Sequence, residues 1–402
     1  MYRPIRQPRS TETRAAPGLD AVTDVSGELV YRLDHPATPG VRVGETVSAG
    51  QLLASCDAFT VRSAVAGTVQ AVTSAAVQVR PSATAVWPPV AQRPTPELEA
   101  FADFPGFLAA IGLRGMGGAL FPAAVKARAS RGVETVVINA AECEPGLSVD
   151  RTILLHEPEL VSQGARAVAR AVGATRLVLA LRREAATEQR VRALYDVELL
   201  RLGTAYPAGA ERLILRALTG TLPPTGILPF QLGVLLHNVA SLRAIGRALR
   251  DGVPAIERPL TLRAAALHRD LLVPVGMRLG DLLRQMGITL AAEDVIVTGG
   301  LMMGTAATVD TPVTLGTTAV LVVPRQQLRP PSRNCIHCGS CCDACPLGLQ
   351  PGSLVRELGN PQVSEAAQAQ LAECFLCGSC SAVCPAYLPL AEDLRRAKSV
   401  KR

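Results

Sequence analysis

Eight cysteines near the C-terminal end carry the most direct chemistry in this sequence: Cys335, Cys338, Cys341 and Cys345 before Pro346, and Cys374, Cys377, Cys380 and Cys384 before Pro385. Both strings read C-x-x-C-x-x-C-x-x-x-C-P, the bacterial spacing for iron–sulfur ligation. Three closely spaced thiolates hold three corners of a cubane, and the fourth reaches the other cluster. This assigns Cys335, Cys338, Cys341 and Cys384 to one [4Fe–4S] centre, and Cys374, Cys377, Cys380 and Cys345 to a second. Structural zinc sites instead split their ligands into two C-x-x-C pairs or use histidine. Cys342 falls outside the pattern and reads as a small buried thiol.

A second constellation precedes these strings. In Gly112-Leu-Arg-Gly115-Met-Gly117-Gly118-Ala-Leu-Phe-Pro122 the glycines would let backbone N–H groups converge on an anion. It is not a dinucleotide fingerprint, because Leu120 stands where the third glycine belongs and the preceding FPGFLAAIGL reads as helix rather than strand. A plain turn is the alternative. Lys126 follows within one or two helical turns, where it could reach a phosphate. Asn139, Glu142 and Glu144 gather at the end of VETVVIN, a buried strand by its length and β-branching. Carboxylates there could accept hydrogen bonds from ribose or nicotinamide, or form a solvated turn before Pro145. Cys143 reads as a packed thiol.

The elements that must position these groups fall into four segments. Residues 1–95 alternate short apolar runs with glycine and proline, which predicts a small all-β unit, and within and just past its end RPSATAVWPPVAQRPTPELE reads as the linker into the second domain. Residues 96–255 alternate helical stretches (ELVSQGARAVARAVG, ATEQRVRALYDVELL) with strands such as RLVLAL, the α/β signature. Residues 256–328 change to short strands with a helix starting near Asp281. Residues 329–402 hold the cysteines, and Ser353 and Ser364 as N-caps with Gly359 past a helix end predict two short helices between the strings.

Composition narrows the function classes. The 402-residue chain has 11 cysteines, nine of them between residues 335 and 384, so the remainder is not stapled by disulfides. The +7 charge is carried almost wholly by arginine, and basic residues cluster at Arg3, Arg6, Arg9 and Arg14 and again at Arg395, Arg396, Lys398, Lys401 and Arg402. Such ends suit an anionic membrane surface or an acidic partner. Aromatics make up only 3% of the chain, which argues against nucleic acid as a ligand. No signal peptide is read at the start. Ala217 to Leu236 is uncharged, but Pro223, Pro224 and Pro229 would break a spanning helix, so a buried, loop-rich segment is expected.

Together GLRGMGGALFP, INAAECEP, YPAGAERLILRALTG, GVLLHNVAS, VPVG with VTGGLMMG, and the paired cysteine strings resemble the RnfC family of the Rnf electron-transport complex. That family is related to the flavin-bearing, NADH-oxidising subunit of respiratory complex I. In the first segment GVRVGETVSAGQLLAS and VRSAVAGTVQAV, joined by a hairpin, resemble the barrel-sandwich hybrid of biotinyl and lipoyl domains. The expected whole is a multidomain α/β protein with four parts: this N-terminal β barrel-sandwich hybrid, an FMN/NADH-binding α/β domain, an SLBB β-grasp domain, and an α-helical dicluster ferredoxin domain. No lysine sits in the hairpin of the first unit, so it carries no biotin or lipoate. The resemblance makes Gly115, Gly117, Gly118, Lys126, Asn139, Glu142 and Glu144 flavin and nucleotide contacts, with Asn238 matching an asparagine of the family's N-V-E-T string.

Departures stand beside these matches. Leu120 replaces a small residue and would narrow the flavin pocket. Ala240 replaces an acidic residue, LALRREAATEQ lacks the asparagine–lysine pair usual after its strand, and Leu301 replaces a proline. The implied activity is an NADH-dependent oxidoreductase and translocase subunit, peripheral on the cytoplasmic membrane face. Its cofactors are FMN, NAD(H) and two [4Fe–4S] clusters, and its partners are membrane subunits, with ferredoxin as a further one. FMN converts between a two-electron donor and one-electron centres. The rival readings are a soluble flavin and iron–sulfur reductase similar to cobalamin reductase, and an electron carrier whose flavin domain has degenerated.

Overall fold

Period-two burial with frequent glycine turns makes the first segment fold as strands. In this computed structural model of the chain, residues 18–33, 37–89, 103–130, 132–325, 334–360 and 362–400 are described. The N-terminal arginines, Lys401, Arg402 and the second half of the expected linker lie outside them. Strands β1 (Leu19–Ala21), β2 (Leu29–Arg32), β3 (Thr38–Pro39), β4 (Thr46–Val47), β5 (Leu52–Cys56), β6 (Phe59–Arg62), β7 (Gly67–Val72) and β8 (Ala76–Pro81) come first. They form two small sheets, ordered β2-β8-β7-β4 and β3-β5-β6, while β1 leaves to join a later sheet. Leu29, Tyr31, Val69, Val77 and Val79 face the core between them. Trp87 is buried in that same core, so the text read as a linker begins as part of the β unit.

The second segment runs α1 (Phe104–Ala110), α2 (Ala123–Arg128), β9 (Thr135–Asn139), α3 (Val149–His156), α4 (Pro158–Val172), β10 (Arg176–Arg182), α5 (Ala185–Leu194), β11 (Glu198–Leu202), α6 (Glu211–Thr219), β12 (Val234–Asn238) and α7 (Val239–Asp251). The strands are parallel in the order β11-β10-β9-β12, so the winding direction reverses between β9 and β12. Open α/β sheets collect ligands at the carboxyl ends of strands beside such a reversal. Helices α4 and α7 cross closely because Gly164 and Gly246 lack side chains. A Cβ at Gly164 would stand 2.0 Å from the Leu242 carbonyl oxygen, and one at Gly246 would stand 2.1 Å from that of Leu160.

Two expectations change here. ATEQRVRALYDVELL is helix only to Leu194, and its Glu198-Leu-Leu end belongs to β11, where pairing with β10 overrides the helical period. The uncharged stretch from Ala217 to Gly233 is largely exposed loop rather than buried; only Pro223 and Pro229 are buried before β12 begins. Among the described residues no helix is long and apolar enough to cross a membrane.

The third segment supplies β13 (Glu257–Ala264), β14 (Leu267–Pro274), α8 (Leu279–Gln285), β15 (Val295–Thr298), β16 (Thr305–Ala307) and β17 (Ala319–Val323). With β1 they form one sheet, β1-β14-β13-β17-β15-β16. Its core is continuous with that of the N-terminal unit, joining Tyr31 and Val79 to Leu260 and Leu283.

The last segment is helical: α9 (Ser340–Asp343), α10 (Pro351–Leu358), α11 (Glu365–Glu373), α12 (Ser379–Ala382) and α13 (Leu390–Val400). Ser364 caps α11 by accepting from the Ala367 N–H at 3.2 Å. Ser353 instead lies inside α10, whose cap is Gln350, and Gly359 ends that helix at φ −80°, without the left-handed turn a C′ glycine usually makes. The two strings repeat one backbone: His337 and Leu376 have φ of 54° and 60°, and Gly339 and Gly378 of 79° and 84°.

Candidate functional site

Asn139 and Asn238 end β9 and β12 and pair in register, so two amides flank the reversal point. Neither projects freely. Asn139 donates to the Gly209 carbonyl at 3.2 Å and accepts from the Ala141 N–H. Asn238 caps α7 by accepting from the Ala240 N–H and donates to Asp150 at 2.6 Å.

The glycine loop lies over this edge. A Cβ at Gly117 would stand 3.4 Å from the Asn238 Cβ. Gly117, Gly118 and Ala119 are exposed, and none of their N–H groups has an acceptor among the described residues. Gly118 has φ of 105° and open space where a Cβ would be, so three consecutive donors are presented without obstruction. This donor set fits an anionic group such as a phosphate. Leu120 does not project over the loop. Its side chain packs on Gly316, where a Cβ would stand 2.8 Å from the leucine Cγ. Lys126 turns to the sheet end, donating to the Leu236 carbonyl, with its ammonium 3.5 Å from Glu211.

The acidic pair is half-buried and hydrogen-bonded rather than a solvated turn. Glu142 accepts from the Asp150 and Arg151 N–H groups in the first turn of α3, at 3.1 and 3.5 Å. Burial, then the neighbouring Asp150 and Asp270, hold its carboxyl well above the usual range. Burial also pushes Asp150 up to about 6, against the pull of Arg258 and the Asn238 amide. Glu144 accepts from the Met302 and Met303 N–H groups at 3.1 and 2.9 Å, and burial raises it too. Cys143 is half-buried and raised to about 11, chiefly by burial.

Sequence reasoning missed the groups behind this edge. Asp270 is fully buried and accepts from Ser148, Thr152 and Thr261. Arg258, also fully buried, donates to Met116 of the glycine loop at 2.8 Å and to Thr317 at 2.7 Å. No local signal marks either, because Arg258 follows Glu257 and Asp270 follows Arg269, and each reads as one of an ordinary pair of opposite charges.

The two cysteine strings sit in different surroundings. Cys335 and Cys338 are exposed, whereas Cys380 is buried and Cys374 and Cys377 are half-buried. Cys345 of the first string lines one cavity with Cys374, Cys377 and Cys380 of the second. Four thiols from two strings around one cavity form a donor set suited to a cubane, in the crossed pattern the spacing predicts. Burial raises the Cys374 and Cys377 thiols and lifts Cys380 to about 12, so ligation there must displace protons. Cys342 is half-buried, not buried.

The second string is also the one fastened to the α/β domain. Tyr206 donates to the Cys377 carbonyl at 2.6 Å. Arg212 donates to the backbone and carboxylate of Glu373 at 2.9 and 2.7 Å. A Cβ at Gly378 would stand 2.8 Å from the carbonyl oxygen of Met302, the residue whose N–H Glu144 binds.

A parallel sheet with a free donor loop at its winding reversal, joined to a paired thiol domain, defines a class of flavin and iron–sulfur proteins. Residues 108–247 match the family model of the Nuo51 FMN-binding domain, and residues 334–387 match that of the 4Fe-4S dicluster domain. The RnfC-type protein of the ion-translocating oxidoreductase complex of Rhodobacter capsulatus is 34% identical over 80% of this chain and 64% of its own length. Its counterpart in the Na(+)-translocating ferredoxin:NAD(+) oxidoreductase complex of Acetobacterium woodii is 31% identical over 80% and 78%. The counterpart in the proton-translocating complex of Clostridium ljungdahlii is 30% identical over 83% and 78%. The chain belongs to the RnfC family of these ion-translocating oxidoreductase complexes. It spans about two thirds of the Rhodobacter relative and more of the other two.

Proposed function

We propose that this chain is the electron-transfer subunit of an Rnf-type complex, exchanging electrons between NADH and ferredoxin through partner subunits in the membrane. The observation that carries this reading is the fastening of the second cysteine string to the α/β domain through Tyr206 and Arg212, beside its close approach to Met302 of the third segment. Such fixed contact is what short-range electron transfer between two cofactor domains needs.

When bound, FMN exchanges two electrons with a nicotinamide and one at a time with iron–sulfur clusters. Gly115, Gly117 and Gly118 would present the loop to its phosphate or to the nucleotide. Asn139, Glu142, Glu144 and Asn238 shape the floor from within, since each already serves a backbone or side-chain partner. Lys126 supplies positive charge to the sheet edge. The eight cysteines hold the two clusters in the crossed arrangement. The first and third segments serve as the barrel-sandwich and SLBB modules, and the chain sits peripherally on the cytoplasmic membrane face.

Anaerobic purification with iron, sulfide and flavin quantitation, followed by NADH titration, tests the reading. About eight irons and one FMN per chain, with spectral bleaching by NADH, are expected. Eight irons with no flavin taken up would overturn it in favour of a plain carrier. Gly118→Val, which places a branched side chain at a φ of 105° in the mouth of the loop, should abolish flavin uptake and spare the clusters.

A further inference from the structure

The glycine loop is gripped by residues from outside its own stretch of chain, one of them beyond the segment that matches the flavin-domain family. Its central peptide, Met116, is held on both sides: the N–H donates to the Ser241 hydroxyl of α7 at 2.9 Å, and the carbonyl accepts from Arg258 Nη1 at 2.8 Å. Arg258 belongs to β13 of the third segment, is 0% exposed, and anchors through Nε to the Thr317 carbonyl at 2.7 Å. Its remaining nitrogen, Nη2, is buried without a partner among the described residues. Leaving a donor of a buried guanidinium unsatisfied is costly, and a structural arginine normally has its donors filled. Immediately beyond the held peptide come the three exposed N–H groups of Gly117, Gly118 and Ala119, which have no acceptor among the described residues.

We propose that Arg258 is a positioning residue for a phosphate site. It locks the Met116 peptide so that the next three N–H groups converge on the phosphate of FMN or of the nicotinamide nucleotide, with a buried positive charge behind them. The proposal deepens the flavin reading and rests on it for the identity of the phosphate. Three glycine-rich residues in free exchange between conformers would lose entropy on every binding event; a loop fixed in advance does not. The positive charge also favours an anion in front of the loop, at short range and behind low-dielectric protein. The third segment thereby becomes part of the cofactor site, although it lies outside the matched flavin domain.

The test uses the full chain with its clusters in place. FMN, NADH and inorganic phosphate are titrated separately into flavin-depleted protein, and amide exchange is followed across residues 115–120. Arg258→Met should weaken the phosphate-bearing ligand by roughly tenfold to a hundredfold and speed exchange in the loop. Arg258→Lys, which can still reach the Met116 carbonyl, should recover part of both. Riboflavin, which has no phosphate, should bind parent and variant alike. Arg243→Met is the control: it breaks buried ion pairs with Glu157 and Glu257 and should lower thermal stability without altering FMN affinity or loop exchange. If Arg258→Met fails to fold, Ser241→Ala releases the other side of the same peptide and should act in the same direction. Unchanged loop exchange and unchanged affinity in folded variants would overturn the proposal. Weakened NADH with unchanged FMN would assign the phosphate to the nucleotide. A parent that takes up no FMN would refute the flavin reading, while the exchange data would still decide whether Arg258 fixes the loop.

Discussion

The two cysteine strings share one spacing and one backbone, yet their surroundings differ. The first opens to solvent, with Ile336 between its leading cysteines 62% exposed; the second is walled by Leu354, Leu376 and Leu394 and fastened to the α/β domain. Ligand spacing therefore sets cluster type, while tertiary contact sets environment. Exposure and hydrogen bonds near sulfur tune the potentials of iron–sulfur centres. Leu376 N–H faces Cys374 Sγ at 3.4 Å and His337 N–H faces Cys335 Sγ at the same distance, so this local bond is common to both strings. What separates the two centres is burial and the clamp by Tyr206 and Arg212.

The largest expected effect comes from breaking the crossed ligation. Cys345→Ser should abolish the cluster held by Cys374, Cys377 and Cys380, the group with which Cys345 shares a cavity. Cys384→Ser should abolish the cluster of Cys335, Cys338 and Cys341. Iron content and low-temperature paramagnetic resonance check this, and loss of the cluster nearest in sequence would refute the crossing.

How much of this is legible in the sequence depends on whether the chemistry is local. The cysteine strings are readable because cluster ligation depends on near-neighbour spacing, β9 and β10 because each is a short continuous apolar run, and α4 because its helical period is strong. The paired registers of Asn139 and Asn238 are not, since strand order is a long-range property. Leu120, expected to narrow the flavin pocket, packs on Gly316, which only the third segment's placement reveals. Lys126, expected at a phosphate, instead serves the Leu236 carbonyl, a partner about a hundred residues away in the chain. Arg258, Tyr206 and Arg212 are invisible for the same reason.

A smaller effect sharpens the difference in exposure. Under an iron chelator in the presence of oxygen, the first cluster should be lost several-fold faster than the second, because Cys335 and Cys338 are open to solvent. Arg212→Ala removes two charge-assisted bonds to Glu373 and should weaken docking of the second string by about 1–3 kcal/mol. The difference in loss rates should then narrow. Equal rates in the parent would show that the exposed cysteines do not govern access.

The smallest expected effect lies at Glu144, whose carboxylate binds the Met302 and Met303 N–H groups and so supports the loop that touches Gly378 of the second string alone. Burial holds this carboxyl above its unfolded value. As pH rises from the unfolded value through the folded one, the unfolded chain releases its proton first, so stability from this group falls across that window and then levels. Glu144→Gln keeps one acceptor for the loop and removes the charge. The variant should lose about 1 kcal/mol or less at the acid end of the window, from the second N–H left unbound, and gain on the parent as pH rises. Thermal midpoints of parent and variant across mildly acidic to neutral pH give the difference directly. The spectrum of the second cluster should follow the same trend, and that of the first should not move. A difference independent of pH would mean that Glu144 is ionised throughout and that its two N–H bonds outweigh its burial.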